Sequence, residues 1–181
     1  MIGAAPTGQV VWYVSGRFYV PDNSSAAFDA GFFLHLPMLG SDLTNQFTFL
    51  AQPFTAQDFY NGDLKIGIDP VGEFSVFRQE MPVATYDDPM SFGAGECIAT
   101  FRRISIVAGV QIANLASTNV FSSVLTWSKP FLLDGLEYDF ATLLPHGVTQ
   151  WGTASTNVIP NPPLGYQAVL PFVGSAIAVG R

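Results

Sequence analysis

Apolar side chains recur along this chain in short runs, each closed by Pro, Gly, Asn or Asp, and none keeps a helical period for more than a turn or two. That pattern predicts strands. Gln9 to Val20 is apolar and β-branched around Gly16, Phe32 to Leu36 is apolar, and Gln46 to Ala51 sets Phe47 and Phe49 against Thr48. Leu64 to Glu80 predicts a hairpin, because Asp69-Pro70-Val71-Gly72 puts Pro at the second turn position and Gly at the left-handed bulge position. Pairing Asp69 with Glu73 sets Ile68 opposite Phe74 and Ile66 opposite Val76, which makes one face apolar and carries Arg78 and Glu80 onto it. A second hairpin from Lys129 to Leu143 turns at Asp134-Gly135, pairing Leu133 with Leu136 and Phe131 with Tyr138, while Glu137 and Asp139 point to water.

Glu96 to Val107 and Ser122 to Lys129 read as strands, and Ala108 to Phe121 between them suits either a short helical turn or a loop. Val148 to Pro163, rich in Thr, Asn, Gly and Pro, reads as irregular, and Tyr166 to Val179 as a closing strand. The count is eight to ten strands. One all-β antiparallel domain over residues 1–181 follows, and it hides its apolar faces by stacking two sheets or closing a barrel. Short, unevenly spaced runs favour the two-sheet sandwich or jelly roll, with a closed β-barrel as the alternative. Lipid-binding barrels, jelly rolls, lectin-like sandwiches and capsid modules all share such a pattern, and no motif selects among them.

Composition adds a constraint on the surface. Only 12% of the residues are charged, against a usual share of about 25%, while 49% are hydrophobic and 16 are Phe. Part of the exterior is then expected to be covered, so the first functional expectation is a structural or interaction module. It would be a homo-oligomer, or a subunit packed against others in a larger assembly. Net charge is −7, and the seven cations, Lys65, Lys129, Arg17, Arg78, Arg102, Arg103 and Arg181, form no cluster that would track phosphates. Nucleic acid is not an expected partner. No apolar run approaches the ~18 residues of a membrane span, and Met1 to Pro6 lacks the basic and apolar regions of a signal peptide. Cys97 is alone and forms no intramolecular disulfide. Asn23-Ser24-Ser25 matches a glycosylation sequon, a pattern short enough to arise by chance.

Signatures of chemistry are sparse, and a non-enzymatic role without cofactor or metal is the expectation. Ser91 to Glu96 holds a Gly-x-Gly, but the third glycine of a dinucleotide fingerprint is missing and a strand follows it, so it reads as a turn. His35 and His146 stand at no metal-ligand spacing with Cys97, and no Gly-x-Ser-x-Gly elbow presents a nucleophile. Tyr86-Asp87-Asp88-Pro89 brings two carboxylates together where calcium is conceivable, and turn initiation is the simpler reading.

Charge on faces assigned to the core is the least ordinary feature. On the strand from Glu96, the alternating set Ile98, Thr100, Arg102, Ile104, Ile106 is apolar except near its centre, unless a bulge at Arg102-Arg103 reverses the faces. A buried guanidinium needs a carboxylate or an anionic ligand, and Glu80 is the first candidate partner of Arg102. Arg78, Glu80 and Arg102 are thus the candidate ligand-binding residues. They suit a second function: a barrel that binds a small apolar or anionic ligand, or a cofactor-free enzyme built on such a barrel.

Overall fold

The computed structural model describes residues 3–39, 46–55, 57–61, 64–69, 72–104, 107–112 and 116–180, with backbone alone for 57–61, 64–69 and 107–112. Its strands are β1 Val10–Pro21, β2 Phe28–His35, β3 Phe47–Ala51, β4 Gln57–Asn61, β5 Leu64–Asp69, β6 Glu73–Arg78 and β7 Glu96–Arg103. Beyond these come β8 Val107–Ile112, β9 Ala116–Ser128, β10 Phe131–Leu133, β11 Leu136–Tyr138, β12 Val148–Ser155 and β13 Tyr166–Ala178. A single helical turn, α1 Phe140–Leu143, and two 3-10 turns, Pro37–Leu39 and Pro89–Gly93, complete it. Among the described residues no helix is long and apolar enough to cross a membrane.

Antiparallel pairing runs β13-β1-β2-β3-β6-β7-β9, and β12 pairs with both β9 and β13. The ring therefore closes as an eight-stranded barrel, all-β as expected, with the barrel alternative in place of the sandwich or jelly roll. Closure depends on β12, which lies in the stretch expected to be irregular. Its Thr and Gly are tolerated because both edges are paired: Trp151 faces Ser175 on one side and Val120 on the other. The long β9 also replaces much of the undecided Ala108 to Phe121 stretch, pairing first with β8 and then with β7. From β8 the sheet continues outward as β8-β5-β4.

The hairpin expected over Leu64 to Glu80 does not form. β5 pairs with β4 and β8, whereas β6 pairs with β3 and β7, so the two apolar segments join different parts of the sheet. Pro70 and Val71 lie outside the described residues. Local turn chemistry favoured adjacency, but each strand pairs with two other strands elsewhere in the sheet. The Asp134-Gly135 hairpin forms as expected: Asp134 (φ 49°) and Gly135 (φ 78°) occupy the left-handed region, and Phe131 faces Tyr138. Both rings are buried and stacked 5.9 Å apart, and Glu137 is exposed. Asp139 departs from expectation, since it caps α1 by accepting from the Ala141 amide at 2.9 Å and from Ser128 Oγ.

Alternation divides the wall into two apolar faces. Trp12, Phe33, Phe47, Phe49, Phe74, Phe101 and Ala176 share the lumen, and Tyr19, Phe28, Ala30 and Val169 form a second cluster on the other face. The 3-10 turn's Phe92 and neighbouring Tyr86 cover that outer cluster. Tyr86 also bonds to Ser15 and lies under the Arg17 guanidinium at 4.2 Å. The β10-β11 hairpin and α1 plug one end of the lumen, where Phe140 meets Phe101 and Phe131 meets Phe47. In the wall, Gly16 faces Gly31, and a Cβ at Gly31 would come within 2.1 Å of the Ser15 carbonyl and 2.9 Å of Phe49. Only glycine lets these strands and rings approach so closely.

Candidate functional site

At the end of the lumen opposite the plug, the side chains leave a partly open cavity of about 70 Å³. Its walls are mainly aromatic: Trp12, Phe18, Phe33, Phe49, Phe54, Phe74, Phe121 and Phe172 all line it, with Ala154 and Gly152 contributed by β12 and Asn119, Gln150, Thr153 and Ser175 as polar lining. Among the described residues one charged pair shares this space. Arg103 on β7 donates through Nη2 to both carboxylate oxygens of Asp29 on β2, at 2.9 and 3.0 Å. Both side chains are more than nine-tenths buried.

The surroundings of Arg103 explain how a guanidinium is tolerated there. Its centre lies 4.9 Å from the Phe121 ring, 5.6 Å from Phe54 and 5.7 Å from Phe74, so the electron-rich faces of three phenyl rings enclose the cation. Asp29 neutralises it, and without that partner the charge would be far too costly to bury. Arg103 Nε is itself buried with no hydrogen-bond acceptor.

A β-bulge decides which arginine enters. On β7, Ala99 faces Val76 and Cys97 faces Phe77, so Ile98 is the unpaired extra residue. Ile98 and Ala99 are both fully buried, and after them the alternation is reversed: Phe101 and Arg103 point inward, Arg102 and Ile104 outward. The expectation of a buried Arg102 partnered by Glu80 is thereby corrected. The bulge lies four residues before the step suspected in the sequence. Ile106 lies outside the described residues.

The other expected site residues do not converge with Arg102. Arg78 is half-buried at the plugged end of the barrel, opposite Phe47 on one side and Glu96 on the other, with its Nε buried and unpartnered. Glu80 is exposed just past β6 and shares a surface depression with Arg78, Met81 and Glu96. Exposed Arg102 faces Glu73 at the far end of the same ladder. The residues that sequence reasoning missed are Asp29 and Arg103. Asp29 carried the same signal that singled out Arg102, a lone charge in an apolar strand, within Phe28-Asp29-Ala30-Gly31-Phe32-Phe33.

Asp88 caps the 3-10 turn by accepting from the Met90 amide at 3.2 Å, so the Asp87-Asp88 pair starts a turn. His35 ends β2 stacked on Tyr13, and His146 is an exposed turn residue. Comparison with protein-family models, with curated proteins and with solved structures gave no match, so function is read from the geometry.

Proposed function

We propose that this barrel is a binding module that takes a small apolar molecule into the unplugged end of its lumen. The observation that carries this reading is the aromatic cavity built around the caged Arg103–Asp29 pair. Well-packed lumens leave few voids, and sequences hold a buried ion pair in an apolar one at a cost to stability, which fits a site kept for a ligand. The test is titration with cyclopentane, followed through the indole N–H resonance of Trp12 and the melting temperature. Saturable shifts are expected, and Ala154→Leu, which fills the cavity, should remove them while the fold persists. Shifts absent at the solubility limit of cyclopentane would overturn the reading.

A specific observation favours self-association as a second reading. Across β9, β12, β13 and β1, the register places Val120, Trp151, Ser175 and Tyr13 in one row on the outer wall, with Val173 and Ile177 beside it. Trp151 is 53% exposed and Val173 56%. The neighbouring outward positions Ser15, Thr149 and Thr153 also carry no charge, although the chain carries −7. A neutral face is its own electrostatic complement, so a second copy suits it. Light scattering should give an oligomer that Trp151→Glu dissociates, and a monomer at micromolar concentration would sink this reading.

A further inference from the structure

Two carboxamides on the cavity wall narrow the ligand, on the premise that the cavity is a binding site. The charged, amide and hydroxyl residues that line it are Asp29, Arg103, Asn119, Gln150, Thr153 and Ser175. Asp29 and Arg103 answer each other through Nη2, while Arg103 Nε is shut off from the cavity and Nη1 lies near Gly72. Strand alternation turns Thr153 and Ser175 to the outer wall, between the inward Gly152, Ala154, Gly174 and Ala176. Asn119 shares the inward face of β9 with Phe121, and Gln150 shares that of β12 with Ala154. Both are half-buried, and among the described residues neither carboxamide has a hydrogen-bond partner.

The register brings these two amides to one bare stretch of wall. Gln150 faces Phe121 and Gly152 faces Asn119, so the amides are diagonal neighbours, close enough for both to reach one small molecule. Gly152 also faces Gly174, and a Cβ at Gly152 would meet only β13 backbone within 4 Å. Phe33, Phe49 and Phe74 come from strands on the far side of the ring. A carboxamide both donates and accepts, and a group that answers the pair in an apolar enclosure must do both. We infer that the ligand is a small neutral molecule whose polar head both donates and accepts, as a lactam, a primary amide or an undissociated acid does. The head sits on Asn119 and Gln150, and the hydrocarbon part lies against the phenyl rings. A carboxylate would leave both amide oxygens unanswered and set a net charge beside an already neutral ion pair. The cavity, at about 70 Å³, is smaller than the roughly 150 Å³ apolar cavity that accommodates benzene, so the enclosed part is a small ring or a short chain.

The experiment titrates 2-pyrrolidinone, cyclopentane and cyclopentanecarboxylate into the wild type and into Asn119→Leu/Gln150→Met, which nearly keeps side-chain size and removes both amides. The side-chain NH2 resonances of Asn119 and Gln150 and the indole resonance of Trp12 are the readouts. In the wild type the lactam should move all of them saturably, and cyclopentane should move Trp12 alone. In the double variant the lactam should weaken at least about tenfold relative to cyclopentane, the loss expected for two hydrogen bonds. The ratio of two rings of one size cancels any change in cavity shape. Binding of cyclopentane without the lactam, or an unchanged ratio, would overturn the inference and leave the cavity reading standing, with water on the amides. Tighter binding of the carboxylate than of the lactam would overturn it in favour of an anion. Failure of all three probes would overturn both readings. If the double variant does not fold, the wild type decides: NH2 resonances that stay still while the lactam saturates the Trp12 shift would overturn the inference.

Discussion

Asp29 and Arg103 lie 74 positions apart, on strands three steps apart around the ring, and meet inside the barrel at 2.9 Å with nearly all water excluded. The pair joins the early part of the chain to its centre. Such pairs cost more to break than they contribute whole, because the surviving charge is orphaned. Arg103→Met should therefore destabilise by about 3–5 kcal/mol, and Asp29→Leu/Arg103→Met should recover most of that loss. Urea melts of both variants measure it. Arg102→Ala, one residue away but exposed, should change stability by less than about 0.5 kcal/mol. A large effect at Arg102 with none at Arg103 would show that the strand faces are reversed.

Gly31→Ala tests the closeness of the barrel wall. The added methyl would meet the Ser15 carbonyl at 2.1 Å and Gly16 Cα at 2.5 Å, both backbone atoms that no side-chain rotation can clear. A loss of about 1–3 kcal/mol in denaturant melts is expected, as for other overpacked positions. Unchanged stability would mean that β1 and β2 stand further apart.

At the plug, Gly135→Val should cost more than ~1 kcal/mol, since Gly135 sits at φ 78° in open space and the penalty comes from the backbone alone. Thermal melts at neutral pH are the check. Gly135→Asn, which tolerates the left-handed region, should lose much less than Gly135→Val.

Alkaline pH should loosen the outer cluster before the lumen. Burial raises the phenols of Tyr19 and Tyr86 above their ordinary value of 10.0, against the lowering influence of Arg17 on both. A raised folded-state value means that this stability is fully present below pH 10 and declines above it, as the unfolded chain ionises first. Stability should fall from about pH 10 upward. Tyr86→Phe should lessen the slope of urea midpoints against pH, and an identical slope would refute the assignment.

Much of the architecture was legible before folding, for local reasons. The runs Gln9 to Val20, Gln46 to Ala51 and Tyr166 to Val179 give the strands Val10–Pro21, Phe47–Ala51 and Tyr166–Ala178, because β-branched and aromatic runs between breakers suit a pleated surface in any context. Asp134-Gly135 turns because only a few residue types accept two successive left-handed conformations. The requirement that a buried guanidinium find a carboxylate also held, although the residues that met it were others.

What the chain alone did not determine was every property set by a distant partner. Val148 to Ser155 looks irregular in isolation and becomes a strand because β9 and β13 supply partners on both edges; that double pairing closes the barrel instead of opening a sandwich. Asp69-Pro70-Val71-Gly72 predicts a hairpin, yet its flanking strands exchange that local ladder for long-range ones. A single unpaired residue, Ile98, is invisible to a period-two pattern, and it moves Arg103 into the cavity and Arg102 into water. By itself the sequence determined strands, a turn and the need for a buried pair; the tertiary structure decided which residues form that pair and where the cavity lies. The physical reason is that backbone preference acts over a few residues, whereas register and closure are settled by ladders between strands far apart in the chain.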